Sequence, residues 1–334
     1  MNMHLLKKLI TSANSLMIMS PVMGAVTGGG SAICKDTVNG KSWGIINVSV
    51  CNLRLSGDYD AGMASQALLG TPIKILKDTS WLEIETPDHY KSWILEASLC
   101  RVTKEELQNW NEAPQVVVTA IYGFVYSDDD LKSQTVSDVV ASDRLRLLDQ
   151  KGSFYHVAYP DGRTGYLPVS DGAIVSEWRK TVKQDAQSII ASAKKLMGIP
   201  YMWGGMSTKG ADCSGFVRTV LMEHDIILPR DASQQALVGA HIDIAPDFSN
   251  LRPGDLLFFG CGCKGDMHVC HVGIYIGNKK FIHSLGCVHI SSFNPEDKDY
   301  DEYDLNRLLW AQRILPYINQ EEGINTTDRN EFYK

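Results

Sequence analysis

From residue 35 to about 175 the apolar positions come in short alternating runs. Ile73 and Ile75, and later Leu145 and Leu147, alternate with polar neighbours, and turns carrying Pro, Asp and Gly separate such runs. A period of two puts every second side chain on one face, which predicts short strands with one face buried. The two stretches are alike when slid by 72–73 residues. Ser65-Gln66-Ala67-Leu68-Leu69-Gly70-Thr71-Pro72-Ile73-Lys74-Ile75-Leu76 lies over Ser137-Asp138-Val139-Val140-Ala141-Ser142-Asp143-Arg144-Leu145-Arg146-Leu147-Leu148. Trp81-Leu82-Glu83-Ile84 lies over Phe154-Tyr155-His156-Val157, and Pro87-Asp88-His89-Tyr90 opens a segment that lies over the one beginning Pro160-Asp161-Gly162. Self-similarity at one fixed offset marks a folding unit used twice, here two small β-barrels.

Past residue 180 the period changes. Val182, Ala186, Ile189, Ile190, Ala193, Leu196 and Met197 recur at steps of three and four, with Thr181 as N-cap and Gly198 as stop. This predicts an amphipathic helix over 182–197. A second helix is expected to begin near Asp212, after the turn Trp203-Gly204-Gly205, with Phe216, Val217, Val220 and Leu221 inward. Strand-like runs at 255–259, 272–276 and 280–283 follow, then an apolar segment at 308–315. Helices first and an antiparallel sheet afterwards indicate an α+β domain.

The chain of 334 residues is 44% apolar, enough for two or three cores. Its formal charge of −7 argues against a nucleic-acid partner, which is held by positive charge. No apolar run reaches the ~18–20 residues of a bilayer span. Lys7 and Lys8 precede a mildly apolar stretch over 9–26 and the small-residue run Gly28-Gly29-Gly30-Ser31-Ala32. That resembles an export signal, with a frayed or helical N-terminus as the alternative, and implies a periplasmic or secreted protein, or else a cytoplasmic one. Cys34, Cys51 and Cys100 fall in the N-terminal part, and Cys261, Cys263, Cys270 and Cys287 crowd one C-terminal stretch, so local disulfides are expected in an oxidising compartment.

Cys213 stands apart, in Ala211-Asp212-Cys213-Ser214-Gly215-Phe216 at the start of the second helix. Unpaired N–H groups at a helix N-terminus favour negative charge. With a neighbouring imidazolium they bring a cysteine pKa from about 8.5 to roughly 3.5–7.5, so a thiolate nucleophile is expected. His271 opens one strand-like run and His283 closes the next. If those strands are antiparallel neighbours, one imidazole takes the thiol proton and the other fixes its tautomer. Cys261, Cys263, His268 and Cys270 next to His271 raise a zinc alternative. A structural zinc that enlisted His271 would remove the base, so disulfides or free thiols are expected instead. His224, His241 and His289 have no partner in this pattern and read as surface or structural.

The motifs Pro200-Tyr201-Met202-Trp203-Gly204-Gly205, Asp212-Cys213-Ser214-Gly215-Phe216, Leu228-Pro229-Arg230-Asp231-Ala232-Ser233-Gln234-Gln235, Pro253-Gly254-Asp255-Leu256-Leu257-Phe258-Phe259, His271-Val272-Gly273-Ile274-Tyr275-Ile276-Gly277 and His283-Ser284 come in this order. Together they resemble the NlpC-type cell-wall endopeptidases, which are papain-like cysteine peptidases. The repeat ahead of them is similar to bacterial SH3-like modules, which points to the γ-D-glutamyl-L-diamino acid endopeptidase (dipeptidyl-peptidase VI) branch. The resemblance implies a leader over 1–33, SH3-like domains over 34–112 and 113–178, a catalytic domain over 179–318 and a C-terminal tail over 319–334. It implies Cys213 as nucleophile, His271 as base and His283 as its orienting partner. Tyr201 would steady the oxyanion, while Asp212, Ser214, Arg230 and Asp231 would line the substrate groove, Asp212 meeting a free α-ammonium. Tyr90 would close one end of that groove. An acidic residue of the first barrel would also meet the ammonium; Asp58 and Asp60 are candidates, although the expected position falls near Gly62. The implied substrate is a peptidoglycan stem peptide with a free N-terminal L-Ala, cleaved by a monomer without metal or organic cofactor. An amidase or acyltransferase of the same fold, or a wall-binding protein with an inert third domain, are the rival readings.

Overall fold

The computed structural model describes residues 40–262 and 267–334. The leader expected over 1–33, Cys34 and Cys263 lie outside the described residues. Two seven-stranded antiparallel sheets come first. The first runs in space Met63–Leu68, Val50–Arg54, Lys91–Ile94, Leu82–Glu85, Pro72–Asp78, Trp43–Ile46, Leu99–Val102. The second runs Thr135–Val140, Tyr122–Tyr126, Thr164–Pro168, Phe154–Ala158, Arg144–Lys151, Gln115–Val118, Gly172–Ile174. Numbered from its own first strand, each sheet has the order three, two, six, five, four, one, seven. The repeat read from the sequence is therefore a repeat of topology. Even the irregularities coincide: the register shifts between Ile75 and Lys77 in one sheet and between Leu147 and Asp149 in the other, at the aligned positions Leu76 and Leu148. A bulge at the same place bends and twists both sheets alike.

Each sheet closes over its own apolar set. Ile46, Leu53, Ile73, Leu82, Ile84 and Ile94 form one core, and Val116, Val125, Val139, Leu145, Val157 and Leu167 the other. Between them stands the helix Lys104–Glu112, started by a capping box in which Thr103 and Glu106 satisfy each other's backbone N–H. The alternation pattern does not reveal this helix.

The third part holds a six-stranded antiparallel sheet in the order Ala240–Ile242, Leu308–Arg313, Leu256–Cys261, His268–Gly277, Lys280–Leu285, Cys287–Ser292. Its central strand Leu256–Cys261 is buried on both faces: Leu256 and Phe258 join the core under the helices, Leu257 and Phe259 a second core behind the sheet. The helix expected over 182–197 is Ala186–Lys195, and a separate short helix, Val175–Thr181, precedes it. The N-cap is Asp185, whose side chain accepts from the Ser188 N–H at 2.8 Å, not Thr181. A short-chain carboxylate is the stronger cap, and Thr181 instead bonds back to the carbonyls of its own turn. Gly198 does end the segment, at φ +83°. Among the described residues no helix is long and apolar enough to cross a membrane.

The expected tail is a packed strap. Asn325 bridges to Ile227, and Thr327 Oγ1 meets Asp225, Arg144 and Arg179, which come from the catalytic part, the second sheet and the connecting helix. Asn330 Nδ2 donates to the Pro87 carbonyl at 2.7 Å, and buried Phe332 stands edge-on to Trp43. The last residues thus reach the first sheet's Pro-Asp turn, which carries Tyr90.

Candidate active site

The helix Cys213–Met222 begins where Asp212 caps it, Oδ1 accepting from the Gly215 N–H at 2.7 Å. Close packing fixes this start further: a Cβ at position 215 would overlap the carbonyl oxygen of Gly205. Cys213 is the first helical residue, and its sulfur lies against the backbone N–H groups of Val272 and Ser214. Val272 follows His271 on the strand that crosses this helix. Ser284 Oγ donates to the Ala211 carbonyl at 2.8 Å and ties the next strand to the same spot.

The two histidines are neighbours on adjacent strands. His271 Nε2 and His283 Nδ1 are 2.7 Å apart, and both side chains are buried. Four more residues complete this corner, none of them expected from the sequence. His283 Nε2 is 3.1 Å from Ser291 Oγ, which donates to Asp301 Oδ2 at 3.1 Å. Asp304 Oδ2 lies 3.7 Å from His283 Nδ1, and Arg307 Nε donates to Asp304 Oδ1 at 2.7 Å. His289, read as surface or structural, has its ring 4.4 Å from that of His283, tilted by 52°. Hairpin register was the available signal, since His283 pairs with His289 across the strands. His224 is structural as expected, bonded to the Lys183 carbonyl and Ser192.

The expected thiolate is corrected. Burial, with Asp212 adding to it, pushes the Cys213 thiol up to about 12 against the N–H groups of Val272 and Ser214 and the charge of Arg230. Burial, with Arg307 and His289, holds His271 well below the usual imidazole range. Both shifts favour a thiol and a neutral imidazole over an ion pair at rest. Stability should follow. The folded state resists protonating His271, so that contribution is complete above about pH 6.5 and declines as pH falls below it; the raised thiol's contribution is complete below about pH 9 and declines above it. Tm measured against pH should fall less on the acid side in His271→Asn than in the parent, and less on the alkaline side in Cys213→Ala. Parallel curves for parent and variants would refute this account.

Arg230 is corrected too. It is 1% exposed and lies beneath the nucleophile rather than along a groove. Its Nη2 donates to Asp212 Oδ2 at 2.6 Å, Nη1 to Ser214 Oγ at 2.9 Å, and Nε to Ser65 Oγ of the first sheet at 2.9 Å. Asp212 also accepts from Gly204 N at 2.9 Å and from Ser214 Oγ at 3.2 Å. With those bonds made, Asp212, Ser214 and Arg230 serve one another, and a carboxylate so saturated has little left for a substrate ammonium.

Tyr201, half-buried, feels Cys213 and Asp212, and burial first of all keeps its hydroxyl protonated. Tyr90 is within the field of Asp231, Arg230, Asp88 and Asp212, so the first sheet's turn does reach this site. That turn is held by a buried ion pair, Arg218 Nη1 to Asp88 Oδ2 at 3.1 Å. Half-buried Asp231 is raised chiefly by burial. Asp58 and Asp60 sit on an exposed turn, where Asp58 Oδ1 accepts from the Asp60 N–H. The first sheet meets the catalytic part just past Gly62 instead, where Met63 packs on Gly204 (φ +75°) and Gln66 Oε1 accepts from the Met206 N–H at 2.8 Å.

Among the described residues, His271, His283 and Asp304 are a group whose ligand atoms, within 4.8 Å of one another, could face a metal. Two nitrogens on one zinc, each at about 2.0–2.1 Å in tetrahedral geometry, stand over 3 Å apart. At 2.7 Å the histidines instead share a proton in a hydrogen bond. Cys261 and Cys270 are joined in a disulfide with Cα atoms 5.8 Å apart, so neither is a thiolate ligand. Arg307 Nη1 rests on both sulfurs, at 3.8 and 3.6 Å. Cys51, Cys100 and Cys287 are free thiols.

A cysteine at a helix start, facing the strand that carries one of two hydrogen-bonded histidines, is the arrangement of a papain-like cysteine peptidase. The chain belongs to the NlpC/P60 family, whose model matches residues 198–307; residues 53–99 match the bacterial dipeptidyl-peptidase SH3 domain. It is 32% identical over 232 residues to the gamma-D-glutamyl-L-lysine dipeptidyl-peptidase of Bacillus cereus, covering 66% of this chain and 67% of that protein. To the Bacillus subtilis protein of the same name it is 27% identical, over 69% of this chain and 75% of the relative. The crystal structure of an NlpC/P60 family protein from Bacillus cereus superposes with a TM-score of 0.71 at 25% identity, over 82% of this chain and all of that one.

Proposed function

We propose that the enzyme hydrolyses the γ-D-glutamyl–diamino acid bond of peptidoglycan stem peptides that carry a free N-terminal L-Ala. The observation that carries this reading is Tyr90, a first-sheet residue in the field of Asp212, Arg230 and Asp231 beside Cys213. A wall at that place would shorten the groove ahead of the scissile bond. Around it stand the carboxylates of Asp88, Asp212 and Asp231 against the guanidinium groups of Arg218 and Arg230. The excess of one negative charge suits an ammonium, and Asp231 is the carboxylate with least spent on its neighbours. The relatives named as gamma-D-glutamyl-L-lysine dipeptidyl-peptidases favour the same bond.

In the reaction the Cys213 proton passes to His271 as the sulfur attacks the γ-carbonyl. Backbone N–H groups at the helix start and the Tyr201 hydroxyl steady the oxyanion. His271 then protonates the leaving amine, and water releases L-Ala-γ-D-Glu from the thioester. Domains over 34–112, 113–178 and 179–318 divide the work between wall and catalyst in a monomer. The Cys261–Cys270 disulfide favours a periplasmic or secreted site of action.

N-acetylating L-Ala-γ-D-Glu-diaminopimelate removes the ammonium that half-buried Asp231 would meet. A loss of about 10-fold or more in kcat/KM is expected, since a hydrogen bond to a charged group is worth about 1.5–3 kcal/mol. Equal rates on free and acetylated peptide would remove the end wall and its charge from the specificity.

A further inference from the structure

We propose that Ser291 and Asp301 extend the histidine pair and set the tautomer of both rings, so that His271 Nδ1 is the lone pair that receives the Cys213 proton. The inference rests on the reading of Cys213 and His271 as the reacting pair. It starts from a degeneracy. A row of hydrogen bonds through two neutral imidazoles and a hydroxyl can run in either direction, because each ring carries one N–H and one lone pair and the hydroxyl both gives and accepts. In one direction His271 Nδ1 is bare and can act as a base; in the other it carries the proton and cannot.

Asp301 breaks the tie. A carboxylate only accepts, so Ser291 Oγ gives its proton to Asp301 Oδ2 at 3.1 Å. The Ser291 oxygen is then an acceptor, and His283 Nε2 at 3.1 Å must carry the hydrogen. His283 Nδ1 is left as a lone pair and accepts from His271 Nε2 at 2.7 Å. One N–H remains to His271, at Nε2, and its Nδ1 is free to take the thiol proton. All four side chains are buried, so water does not scramble the order.

Neither Asp304 nor His289 reverses it. Asp304 Oδ2 is 3.7 Å from His283 Nδ1, beyond hydrogen-bond reach, while its Oδ1 accepts from Arg307. Its charge stabilises the imidazolium formed when the thiol proton arrives. His289 gives its Nδ1 proton to the Cys287 carbonyl at 2.9 Å.

Asp301→Asn is the informative substitution because of a second bond. Asp301 Oδ1 caps the short helix Glu302–Leu305, accepting from the Asp304 N–H at 3.1 Å. Asparagine caps as well as aspartate, so the amide oxygen stays on the cap and the NH2 takes the place of Oδ2. Ser291 then accepts from that NH2 and donates to His283, and the whole row runs backwards. The fold is kept and the base is lost.

The test uses the full chain with 15N-labelled histidine. In the parent, nitrogen chemical shifts should report His271 and His283 both protonated at Nε2; in Asp301→Asn both should move to Nδ1–H. Loss of the correct tautomer in a comparable triad costs about 10⁴-fold, so kcat on L-Ala-γ-D-Glu-diaminopimelate should fall by at least about 10²-fold, with KM within about twofold. Ser291→Ala should leave the tautomers mixed and lower kcat; Ser291→Thr, which keeps the hydroxyl, should restore it. Unchanged nitrogen shifts, or kcat within about twofold, in Asp301→Asn overturns the inference. A parent that cleaves no peptide refutes the functional reading instead, and the nitrogen shifts still decide the relay.

Discussion

Cys213→Ala should lose hydrolysis of L-Ala-γ-D-Glu-diaminopimelate by about 10⁴–10⁶-fold in kcat, the scale on which removal of a covalent nucleophile acts. The effect is this large because the neighbouring nucleophilic groups are already bonded. His271 and His283 are engaged with each other, and the Ser214 hydroxyl is bonded between Asp212 and Arg230. Folding should survive, since deleting one sulfur leaves only a small cavity, and the Asp212 cap is untouched. Release of the dipeptide by mass spectrometry, beside a thermal melt of the same sample, checks both halves. Turnover within tenfold of the parent would take Cys213 out of the chemistry.

Arg230→Met should have the largest effect on stability, about 3–5 kcal/mol, because it strands the Asp212 carboxylate in the interior. The same change removes the donor to Ser65, so the first sheet loses a tie to the nucleophile's base as well. Lysine restores the charge without the two-pronged geometry by which Arg230 reaches both Asp212 oxygens at 3.2 and 2.6 Å, and should recover only part of the loss. Urea unfolding of Arg230→Met, Arg230→Lys and the double variant Asp212→Asn/Arg230→Met distinguishes the causes. A double variant no more stable than Arg230→Met would show that the stranded charge is not the source of the cost.

Much of this enzyme is legible along the chain because the signals are local. The β alternation at Ile73 and Ile75 follows from the pleat, and the offset of 72–73 residues appears again in strand order and bulge position. Asp212 before an apolar-faced run marks a helix start, and the helix begins there. The helix break at 182–185 was hidden because Val182 and Ala186 keep a helical spacing across it, while Asp185 is the better cap. The strap was hidden for another reason. Thr327, Asn330 and Phe332 carry no periodicity and acquire meaning only from Asp225, Pro87 and Trp43, far away in sequence.

The residue types and their order along the chain pointed to a cysteine, a histidine and a second histidine as the expected reacting set, because a thiol nucleophile needs a base and the base a partner to orient it. Charge states and partners were decided by the tertiary structure. A pKa depends on how much water and which charges surround a group, and burial, not the helix start, dominates at Cys213. Arg230 looked like a groove residue until its five-donor head was found enclosed between two domains. Ser291, Asp301 and Asp304 are ordinary polar residues in sequence, and only the pairing of the last strands brings them against the imidazoles.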